Sequence, residues 1–404
     1  MGNWMLQVEC LSTGAGFEGL RFAIGAGFKA CFFTSIKEKA AMIPADIEKN
    51  IRIEICDTQD YQSLRTKIIE LNSSEGIAGI LCAQDDCIEN VAKVAASLGF
   101  PFTSDSAVRC SKDKPRMKEL ARIKGIPVAR GLVVQNTKEL CNAGESLQFP
   151  VFVRPANGSG SMNAQICHNS SALMEYANSV LLQYSGNFEI LVEEVLYGPL
   201  VSVEAITVNG VTEILGLSDR TLGAQPYAVE IEATFPCDFG GPVSSKITQW
   251  TKELLVASAF DNGLSHTEFI VTREGPYFIE LNPRLGGALL GKAISEALKI
   301  DVYAIQVDFA LGKPVSFTHE LPEIAVCMSI MYNTSTLNSL NNDELMQILE
   351  RHPGQNTFQP NPNRSATALM QPKDFRGFRG IMLTRGESPE LAKAQARAIL
   401  SHLG

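Results

Sequence analysis

Short apolar runs alternate with amphipathic stretches through the first hundred residues. The runs WMLQV, KACFF, IRIEI and IAGIL each suit a buried strand. Between them, YQSLRTKIIELN and IENVAKVAASLG carry apolar residues at the three- and four-residue spacing of a helix. Strands that alternate with helices in this way predict a small parallel sheet with helices on both faces.

Beyond this region the pattern is typical of antiparallel hairpins. LVSVEAITVNGVTEILGLS predicts a hairpin around Asn209–Gly210, because an Asn-Gly pair favours a tight turn. SHTEFIVTREGPYFIELNPR predicts a second hairpin that turns near Glu274–Gly275, and FPVFVRPANGSGSMNAQICH predicts two strands joined by a Gly/Ser turn. Helices are predicted for SKDKPRMKELARIKG, for ALLGKAISEALKIDVYAIQVDFALG and for the closing SPELAKAQARAILSHL, which begins with a Ser-Pro signal.

The composition narrows the class of protein without naming a function. With 404 residues, 45% hydrophobic and 20% charged, the chain suits two or three ordinary folded domains. A formal charge of −9 argues against a nucleic-acid partner but leaves room for a local positive pocket. No apolar stretch approaches the ~20 residues that span a bilayer, and the N-terminus lacks the basic start of a secretory signal. The ten cysteines show no CxxC pairs or His–Cys metal spacing, so we expect reduced thiols in a cytoplasmic protein without a membrane partner.

The stretch FIELNPRLGG places three polar side chains directly behind an apolar run. Glu280, Asn282 and Arg284 occupy alternate positions, so they point to the same face of the predicted strand. Glu268 lies on the other arm of the hairpin, and the turn midway between the two glutamates allows them to pair side by side. Oxygen ligands from Glu, Glu and Asn suit Mg²⁺, and Arg284 would reach a transferring phosphoryl group. Taken alone, the segment also fits a well-paired structural cluster under a turn.

Two further motifs could supply the groups that bind a nucleotide beside the predicted metal ligands. RPANGSGS sets Arg154 at the end of a strand before a small loop, whose backbone N–H groups and hydroxyls could cover nucleotide phosphates. By itself, such a Gly/Ser turn is usually only a hairpin. VEEVLYGP fits either an exposed acidic edge strand or a hinge whose backbone contacts adenine, and its composition does not decide between them.

The order and spacing of these motifs resemble the ATP-grasp superfamily. FIELNPRLGG is similar to the family's metal-binding strand, and SKDKPRMKELARIKGIPVAR is similar to the segment with its first ATP-binding lysine. The resemblance implies an α/β protein, α+β within its lobes, in which an N-terminal Rossmann-like parallel sheet precedes two ATP-grasp lobes that clasp ATP. We therefore expect an N-terminal domain at 1–103, a small lobe with the phosphate loop at 104–190, and a large lobe with the metal site and a C-terminal subdomain at 191–404.

The resemblance also implies which residues bind ATP. They are Lys114, Arg154, Asn157, Gly158, Ser159, Gly160, Ser161, Glu193, Glu194, Val195, Leu196 and Glu204. Lys114 and Arg154 would contact the phosphates, residues 157–161 would cover them, and residues 193–196 would border adenine. Glu204 is the nearest candidate for the acid expected at the ribose hydroxyls. Glu268, Glu280 and Asn282 would hold two Mg²⁺ ions, for which Mn²⁺ can substitute.

One position departs from the family pattern. The superfamily usually has lysine where Arg154 stands. Arginine keeps the positive charge, but its guanidinium is a planar fork rather than a point donor. The nucleotide site therefore remains expected, while the phosphate contact at this position is open.

Within the superfamily, HTEF, GPYFIELNPRLGG and GPLVSVEA most resemble the L-amino acid ligases and carnosine-synthase-like enzymes. These imply a carboxylate–amine ligase: ATP converts a small acid into an acyl phosphate, and an amine then displaces phosphate to form an amide. Phosphorylation is needed because hydroxide is a poor leaving group, so the protein has only to position the reactants and neutralise charge. Arg284 would steady the acyl phosphate.

Candidate substrate-binding residues and a candidate base can be named, and two of these assignments have a second interpretation. Arg220 and Glu230, on a turn-rich segment, are candidates for recognising carboxylate and amine, together with Arg284 and Gly287; a surface loop with solvated charges is the other interpretation of that segment. His266, two residues before Glu268, is a candidate catalytic base, although a positioning role beside the metal ligands is preferred.

Other functions remain open at this point. The same motifs fit a ligase of siderophore or peptide-antibiotic biosynthesis with a hydroxy or polycarboxylic acid substrate. They also fit a biotin-carboxylase-like or purine-pathway enzyme, and a nucleotide-binding regulatory protein that has lost turnover. The partners expected are small-molecule acids and amines, and dimers are common among similar ligases, which makes a homodimer an option.

Overall fold

The fold is described from a computed structural model. It describes residues 2–10, 15–156, 158, 160–181, 189–315, 321–332, 337, 339–361 and 378–403. Within these ranges, no helix is long and apolar enough to cross a membrane.

The first sheet is parallel, which confirms the prediction from the alternating pattern. Its described strands are β1 (Trp4–Val8), β2 (Lys29–Thr34), β3 (Ile51–Ile55) and β4 (Ile77–Leu81), in the order β3-β2-β1-β4. Helix α1 (Glu18–Gly25) follows β1, α2 (Tyr61–Glu75) connects β3 to β4, and α3 (Ile88–Leu98) follows β4. Alternate residues of β1 enter different cores, with Leu6 in one and Met5 in the other, because helices cover both faces.

The helix predicted over SKDKPRMKELARIKG is two helices in the structure, α4 (Asp105–Lys112) and α5 (Lys114–Ile123). Asp113 separates them, since its side chain accepts a hydrogen bond from the Arg116 N–H and so caps α5. Pro115 occupies the first turn of α5, where a missing N–H costs nothing. The break makes Lys114 the first residue of a new helix.

The second sheet is small and antiparallel. Its described strands are β5 (Gly131–Val134), β6 (Val151–Pro155), β7 (Gln165–Cys167) and β8 (Ile190–Glu194), in the order β5-β8-β6-β7. Helices α6 (Thr137–Leu147) and α7 (Ser170–Leu181) pack against one another beside it. Strand β8 spans the predicted boundary between residues 190 and 191, and the domain boundaries stay a prediction.

The third sheet is the largest in the described part of the chain. Its strands are β9 (Leu200–Val208), β10 (Val211–Leu222), β11 (Glu230–Cys237), β12 (Gly263–Thr272), β13 (Gly275–Asn282), β14 (Ala325–Tyr332), β15 (Thr357–Pro360) and β16 (Phe378–Gly386). They lie in the order β13-β12-β9-β10-β11-β14-β16-β15. The helices of this region are α8 (Gly241–Ala257), α9 (Leu290–Leu298), α10 (Val302–Ala310), α11 (Asn342–Glu350) and α12 (Pro389–His402).

Both predicted hairpins are present. The turn between β9 and β10 has positive φ at Asn209 and Gly210, as a tight hairpin turn requires. The hairpin of β12 and β13 turns between Thr272 and Gly275. The segment that looked rich in turns from Ser218 onward is instead largely the paired strands β10 and β11.

Candidate active site

The two glutamates of the second hairpin lie directly opposite one another. The register of β12 and β13 pairs Glu268 with Glu280 and His266 with Asn282. Side chains at such cross-strand positions are about 4.5–5.5 Å apart at Cβ. The predicted pairing of Glu268 with Glu280 is therefore confirmed, and two carboxylates meet at one point of the large sheet.

Cations from two other elements converge on Glu280. Arg154, from β6, places Nη1 2.8 Å from Glu280 Oε2, and Lys114, at the start of α5, places Nζ 3.7 Å from the same oxygen. Asn282 Nδ2 donates to Glu280 Oε1 at 3.2 Å. Burial would raise the pKa of Glu280, but Lys114 and Arg154 hold it well below its usual range. This carboxylate is therefore ionised, and it joins the small sheet to the large one.

A second carboxylate on the small sheet shares Arg154. Arg154 Nη2 lies 3.3 Å from Glu193 Oε2, and Lys118 donates to the other oxygen of Glu193. Lys118 was missed by the sequence analysis, although its spacing of four residues from Lys114 puts both on one face of α5. Glu194 points elsewhere, with Oε2 2.8 Å from Arg130 Nε.

The Gly/Ser loop follows β6, as the predicted strand–turn–strand pattern requires. Lys114 Nζ donates to the backbone oxygen of Gly158 at 2.7 Å, so the loop and the first helix residue are tied together. Gly160 and Ser161 both have positive φ. Asn157 and Ser159, which were predicted to contact phosphates, lie outside the described residues.

A second group of charges lies on the other side of Glu268. Arg220 pairs with Glu230 and also approaches Glu268, with Nη1 3.7 Å from Oε1. Arg220 is only 8% exposed, which excludes a solvated surface loop. Arg220 Nε and Glu230 Oε1 are buried and have no hydrogen-bond partner in the described part of the chain. Both groups therefore retain hydrogen-bonding capacity at a buried site.

His266 is fully enclosed between carboxylates. Its Nδ1 lies 2.8 Å from Glu204 Oε1 and its Nε2 lies 3.1 Å from Glu268 Oε1. Burial opposes the imidazolium, but Glu204 outweighs it and raises the pKa of His266 to about 9. Arg220 Nη1 is also 2.6 Å from Nε2, a bond that only the neutral ring could accept; we favour the charged ring, because carboxylates flank both nitrogens.

The positions of His266 and Glu204 affect the roles that were predicted for them. Because both nitrogens of His266 face carboxylates, the ring is better placed to hold Glu268 than to accept a proton from an amine. Glu204 is completely buried and accepts from Ser202 Oγ at 2.8 Å as well as from His266. Such a residue does not suit a contact with a ribose.

Arg284 contacts a residue of the first sheet's domain that sequence reasoning did not identify. Its Nε lies 3.0 Å from Oδ2 of Asp85, in the segment between β4 and α3. Lys112 Nζ lies 3.0 Å from the other oxygen of the same carboxylate. Burial would raise the pKa of Asp85, but Arg284 and Lys112 lower it to about 2. Close by in sequence, a Cβ added at Gly287 would have no described atom within 4 Å, so space opens beside the backbone there.

Residues 147–292, which hold Arg154, Glu193, Glu268 and Glu280, match the family model described as an ATP-grasp domain. The chain carries an ATP-grasp domain. The solved structure of an L-amino acid ligase from Bacillus licheniformis is similar over 99% of this chain and 98% of that one, with a TM-score of 0.82 and 19% sequence identity. The fold shared with that structure therefore includes the N-terminal parallel sheet.

Two other solved structures are similar at lower identity. An ADP complex of N5-carboxyaminoimidazole ribonucleotide synthetase matches with a TM-score of 0.77 and 17% identity, covering 100% of this chain and 98% of that one. The biotin carboxylase domain of a Hydrogenobacter thermophilus 2-oxoglutarate carboxylase, solved with MgADP and bicarbonate, matches with a TM-score of 0.74 and 15% identity, covering 99% and 90%. At these identities the likeness concerns the fold.

Curated relatives are matched only in part. An L-arginine-specific L-amino acid ligase of Bacillus subtilis is 24% identical over 51% of this chain and 51% of its own length. An uncharacterized protein of Sinorhizobium fredii is 24% identical over 69% of this chain and 59% of its own length. The chain thus spans between half and three fifths of the length of these two relatives.

The donor groups of the ATP-grasp domain fit Mg²⁺. Glu268, Glu280 and Asn282 could each offer an oxygen ligand. Burial and the neighbouring Glu280 act to raise the pKa of Glu268, but His266 and Arg220 outweigh them and lower it. Within the described residues, no group of three or more His, Cys, Asp or Glu side chains forms a metal cluster. A site made of two carboxylates and one amide suits an ion that completes its shell with water and phosphate oxygens, as Mg²⁺ usually does.

Proposed function

We propose that this protein is an ATP-dependent ligase that joins a small carboxylic or amino acid to an amine. The observation that carries the proposal is the pairing of Glu268 with Glu280, opposite two cations from the small sheet and α5. That arrangement brings groups for metal, phosphate and acid to one point. Simple nucleotide binding does not require all of them.

The phosphate side of the site is formed by the small sheet and α5. Lys114 and Arg154 neutralise the phosphates, and the loop with Gly158, Gly160 and Ser161, together with Asn157 and Ser159, covers them. The backbone from Glu193 to Leu196 borders adenine, which leaves the Glu193 side chain to hold Lys118 and Arg154. We assign Glu204 to orienting His266 rather than to the ribose.

Glu268, Glu280 and Asn282 would hold two Mg²⁺ ions, or Mn²⁺ in their place. Held by these residues, the metal would supply positive charge that neutralises the phosphates during transfer. Arg284 directs its guanidinium toward the acid, and Asp85 fixes that guanidinium from the N-terminal domain. The substrate carboxylate attacks the γ-phosphorus of ATP, ADP leaves, and the acyl phosphate remains in the site.

The amine completes the reaction by attacking the acyl carbon, and inorganic phosphate leaves. Arg220 and Glu230 are our candidates for recognising substrate carboxylate and amine, because each keeps a buried polar atom without a partner in the described residues. Gly287 leaves space for the substrate beside the backbone. His266 holds Glu268 in place.

A second reaction class is supported by the neighbouring folds. The similar synthetase is named for N5-carboxyaminoimidazole ribonucleotide, and the similar biotin carboxylase domain was solved with bicarbonate, so carboxylation is the second class. The chain would then use bicarbonate as its acid. Ligases of siderophore or peptide-antibiotic biosynthesis and a regulatory protein without turnover remain compatible in sequence. The ten free cysteines agree with a cytoplasmic protein, and a homodimer remains an option.

A single assay separates these functions. The purified chain is incubated with ATP, Mg²⁺, hydroxylamine and one acid at a time, with phosphate release and hydroxamate both measured. A ligase gives hydroxamate that depends on one or a few organic acids. Phosphate release with bicarbonate alone supports carboxylation. Tight ATP binding without phosphate release for any acid would contradict the proposed ligase and favour the regulatory protein.

A further inference from the structure

A cavity of about 440 Å³ lies beside Arg284, between the N-terminal domain and the large sheet. Its volume is within the range of about 300–1,000 Å³ that small-molecule sites occupy. Leu81, at the carboxyl end of β4, lines one wall, and Phe102 lines another. The carboxyl ends of parallel strands are where open α/β sheets usually bind ligands.

The far wall belongs to the large sheet and to α10. Val208 ends β9, Leu264 lies near the start of β12, and Phe309 lies near the end of α10; all three border the cavity. Pro283 and Arg284 border it too, directly after the predicted metal ligand Asn282. The cavity is therefore continuous in sequence and space with the end of the strand that carries the reaction site.

The described lining of the cavity is mostly apolar, and its charged side chains are all positive. These charged side chains are Arg284 and Lys313, each of which has a carboxylate partner, Asp85 and Asp308 respectively. None of the described residues that line the cavity is an aspartate or glutamate. No acidic side chain of the described lining would repel an anionic group beside Arg284, while the remainder of the space favours apolar atoms.

We propose that this cavity holds the side chain of the acid substrate, and that the substrate is a carboxylic acid with a bulky apolar side chain. The inference rests on the proposed ligase function and names the substrate class for it. The carboxylate lies at Arg284, close to the metal-binding strand, and the apolar side chain fills the space toward Phe102 and Val208. A guanidinium or ammonium side chain would find no carboxylate in the described lining. The cavity therefore discriminates against arginine, the amino acid named for the Bacillus subtilis relative.

The test compares acids in the hydroxamate assay. L-alanine, L-leucine, L-phenylalanine and L-arginine are each supplied with ATP, Mg²⁺ and hydroxylamine. We expect kcat/KM for leucine or phenylalanine to exceed that for alanine and for arginine at least about tenfold, because one methylene in an apolar pocket changes specificity by about 10–200-fold. Equal values for alanine and phenylalanine, or a preference for arginine, would overturn the inference and leave the ligase function standing.

A matched pair of variants ties the preference to this cavity. Val208→Trp fills the space from the rim, whereas Val211→Trp changes its cross-strand neighbour, which is 75% exposed and does not line the cavity. Val208→Trp should lower kcat/KM for phenylalanine about tenfold while leaving alanine within about threefold, and Val211→Trp should change neither. Val315→Phe, at another part of the rim, repeats the test if the first variant does not fold, as judged by circular dichroism.

The outcomes separate the two proposals. An equal loss for alanine and phenylalanine in Val208→Trp contradicts the cavity as the side-chain site. No hydroxamate from wild-type protein with any acid contradicts the ligase function, and this inference falls with it.

Discussion

Glu9 and Glu280 both lie at the carboxyl end of a strand, Glu9 buried and Glu280 with 18% of its side chain exposed, and they differ in what surrounds them. Glu9 follows β1 of the parallel sheet and accepts hydrogen bonds from the Ser35 N–H at 2.7 Å, Thr58 Oγ1 at 2.8 Å and Lys39 Nζ at 2.8 Å. These donors all belong to the same domain. Glu9 even adopts a positive φ of 54° to reach them.

Glu280 has partners of a different kind. Its cations come from the small sheet and from α5, and a second carboxylate lies opposite it. The nearby Arg154 Nε is buried without a partner in the described residues. Glu9 is thus a closed structural cluster, whereas Glu280 belongs to a site with unused hydrogen-bonding capacity. Burial of a charge does not by itself identify a functional site. The donor without a partner in the described residues and the like-charged neighbour are what distinguish the site at Glu280.

The largest effect is expected for Glu280→Gln. The substitution keeps the shape of the side chain but removes the charge that faces Lys114 and Arg154 and that would bind the metal. We expect kcat to fall about a thousandfold or more, as when a preorganised electrostatic group is lost from an active site. Turnover is measured by phosphate release with the best acid, and folding by thermal unfolding. Glu274→Gln, at the exposed turn of the same hairpin, is the control; full activity in Glu280→Gln would show that the metal assignment is wrong.

Glu9→Gln should have the opposite profile. Burial would raise the pKa of Glu9, but Lys39 and the Ser35 N–H outweigh it, so the pKa is lowered. The carboxylate therefore stabilises the fold above its ordinary pKa, and that contribution is lost as pH falls through the lowered value. We expect the variant to lose about 1.5–3 kcal/mol at neutral pH, as for hydrogen bonds to a charged group, and to show a weaker loss of stability in acid.

Denaturant unfolding at several pH values measures this, with the exposed Glu48→Gln as control. Activity per folded molecule should remain unchanged in Glu9→Gln. A large loss of turnover with normal stability would contradict the division between a structural and a functional carboxylate.

More of the surroundings of Glu280 than of Glu9 could be predicted from the sequence. The parallel sheet, both hairpins and the pairing of Glu268 with Glu280 followed from local alternation and turn chemistry, which act over a few residues. The roles of these residues remain predictions.

What escaped prediction depended on contacts between distant parts of the chain. Asp85 meets Arg284 across 199 positions of sequence, and no local periodicity marks it. Glu204 looked available to a ribose because its strand pattern did not reveal that His266 occupies the adjacent strand at the same level. The split of α4 from α5 was readable in principle, since Asp113 and Pro115 together form a helix start.

Asp85→Asn tests whether the N-terminal domain takes part in the site. Without the carboxylate charge, Arg284 and Lys112 face each other, and the guanidinium loses its orientation. We expect kcat/KM for the acid to fall about tenfold to a hundredfold, because small misplacements of a positioning group cost that much. KM for ATP should change little. Asp86→Asn, at the exposed neighbouring position, is the control, and a matching loss in ATP affinity would argue for a general structural effect instead.

The smallest effect is expected for Arg154→Lys, which introduces the residue that the family resemblance leads us to expect at this position. Arg154 bridges Glu193 and Glu280 with different nitrogens of one guanidinium, at 3.3 Å and 2.8 Å. A lysine is a single point charge and cannot keep both geometries, but Lys118 still neutralises Glu193. We therefore expect turnover to stay within about tenfold, with the change concentrated in KM for ATP, since an arginine–lysine exchange keeps the charge and loses only the forked geometry.

Arg154→Gln separates charge from geometry at the same position, because it removes the charge and leaves Glu280 with Lys114. Turnover should then fall well below that of Arg154→Lys. If both variants lose activity equally, the fork itself is required, and this chain binds phosphate through a contact that a lysine cannot make. If both variants remain fully active, Arg154 is a structural residue like Glu9. The distinction between structural and functional charged residues would then have to be drawn differently.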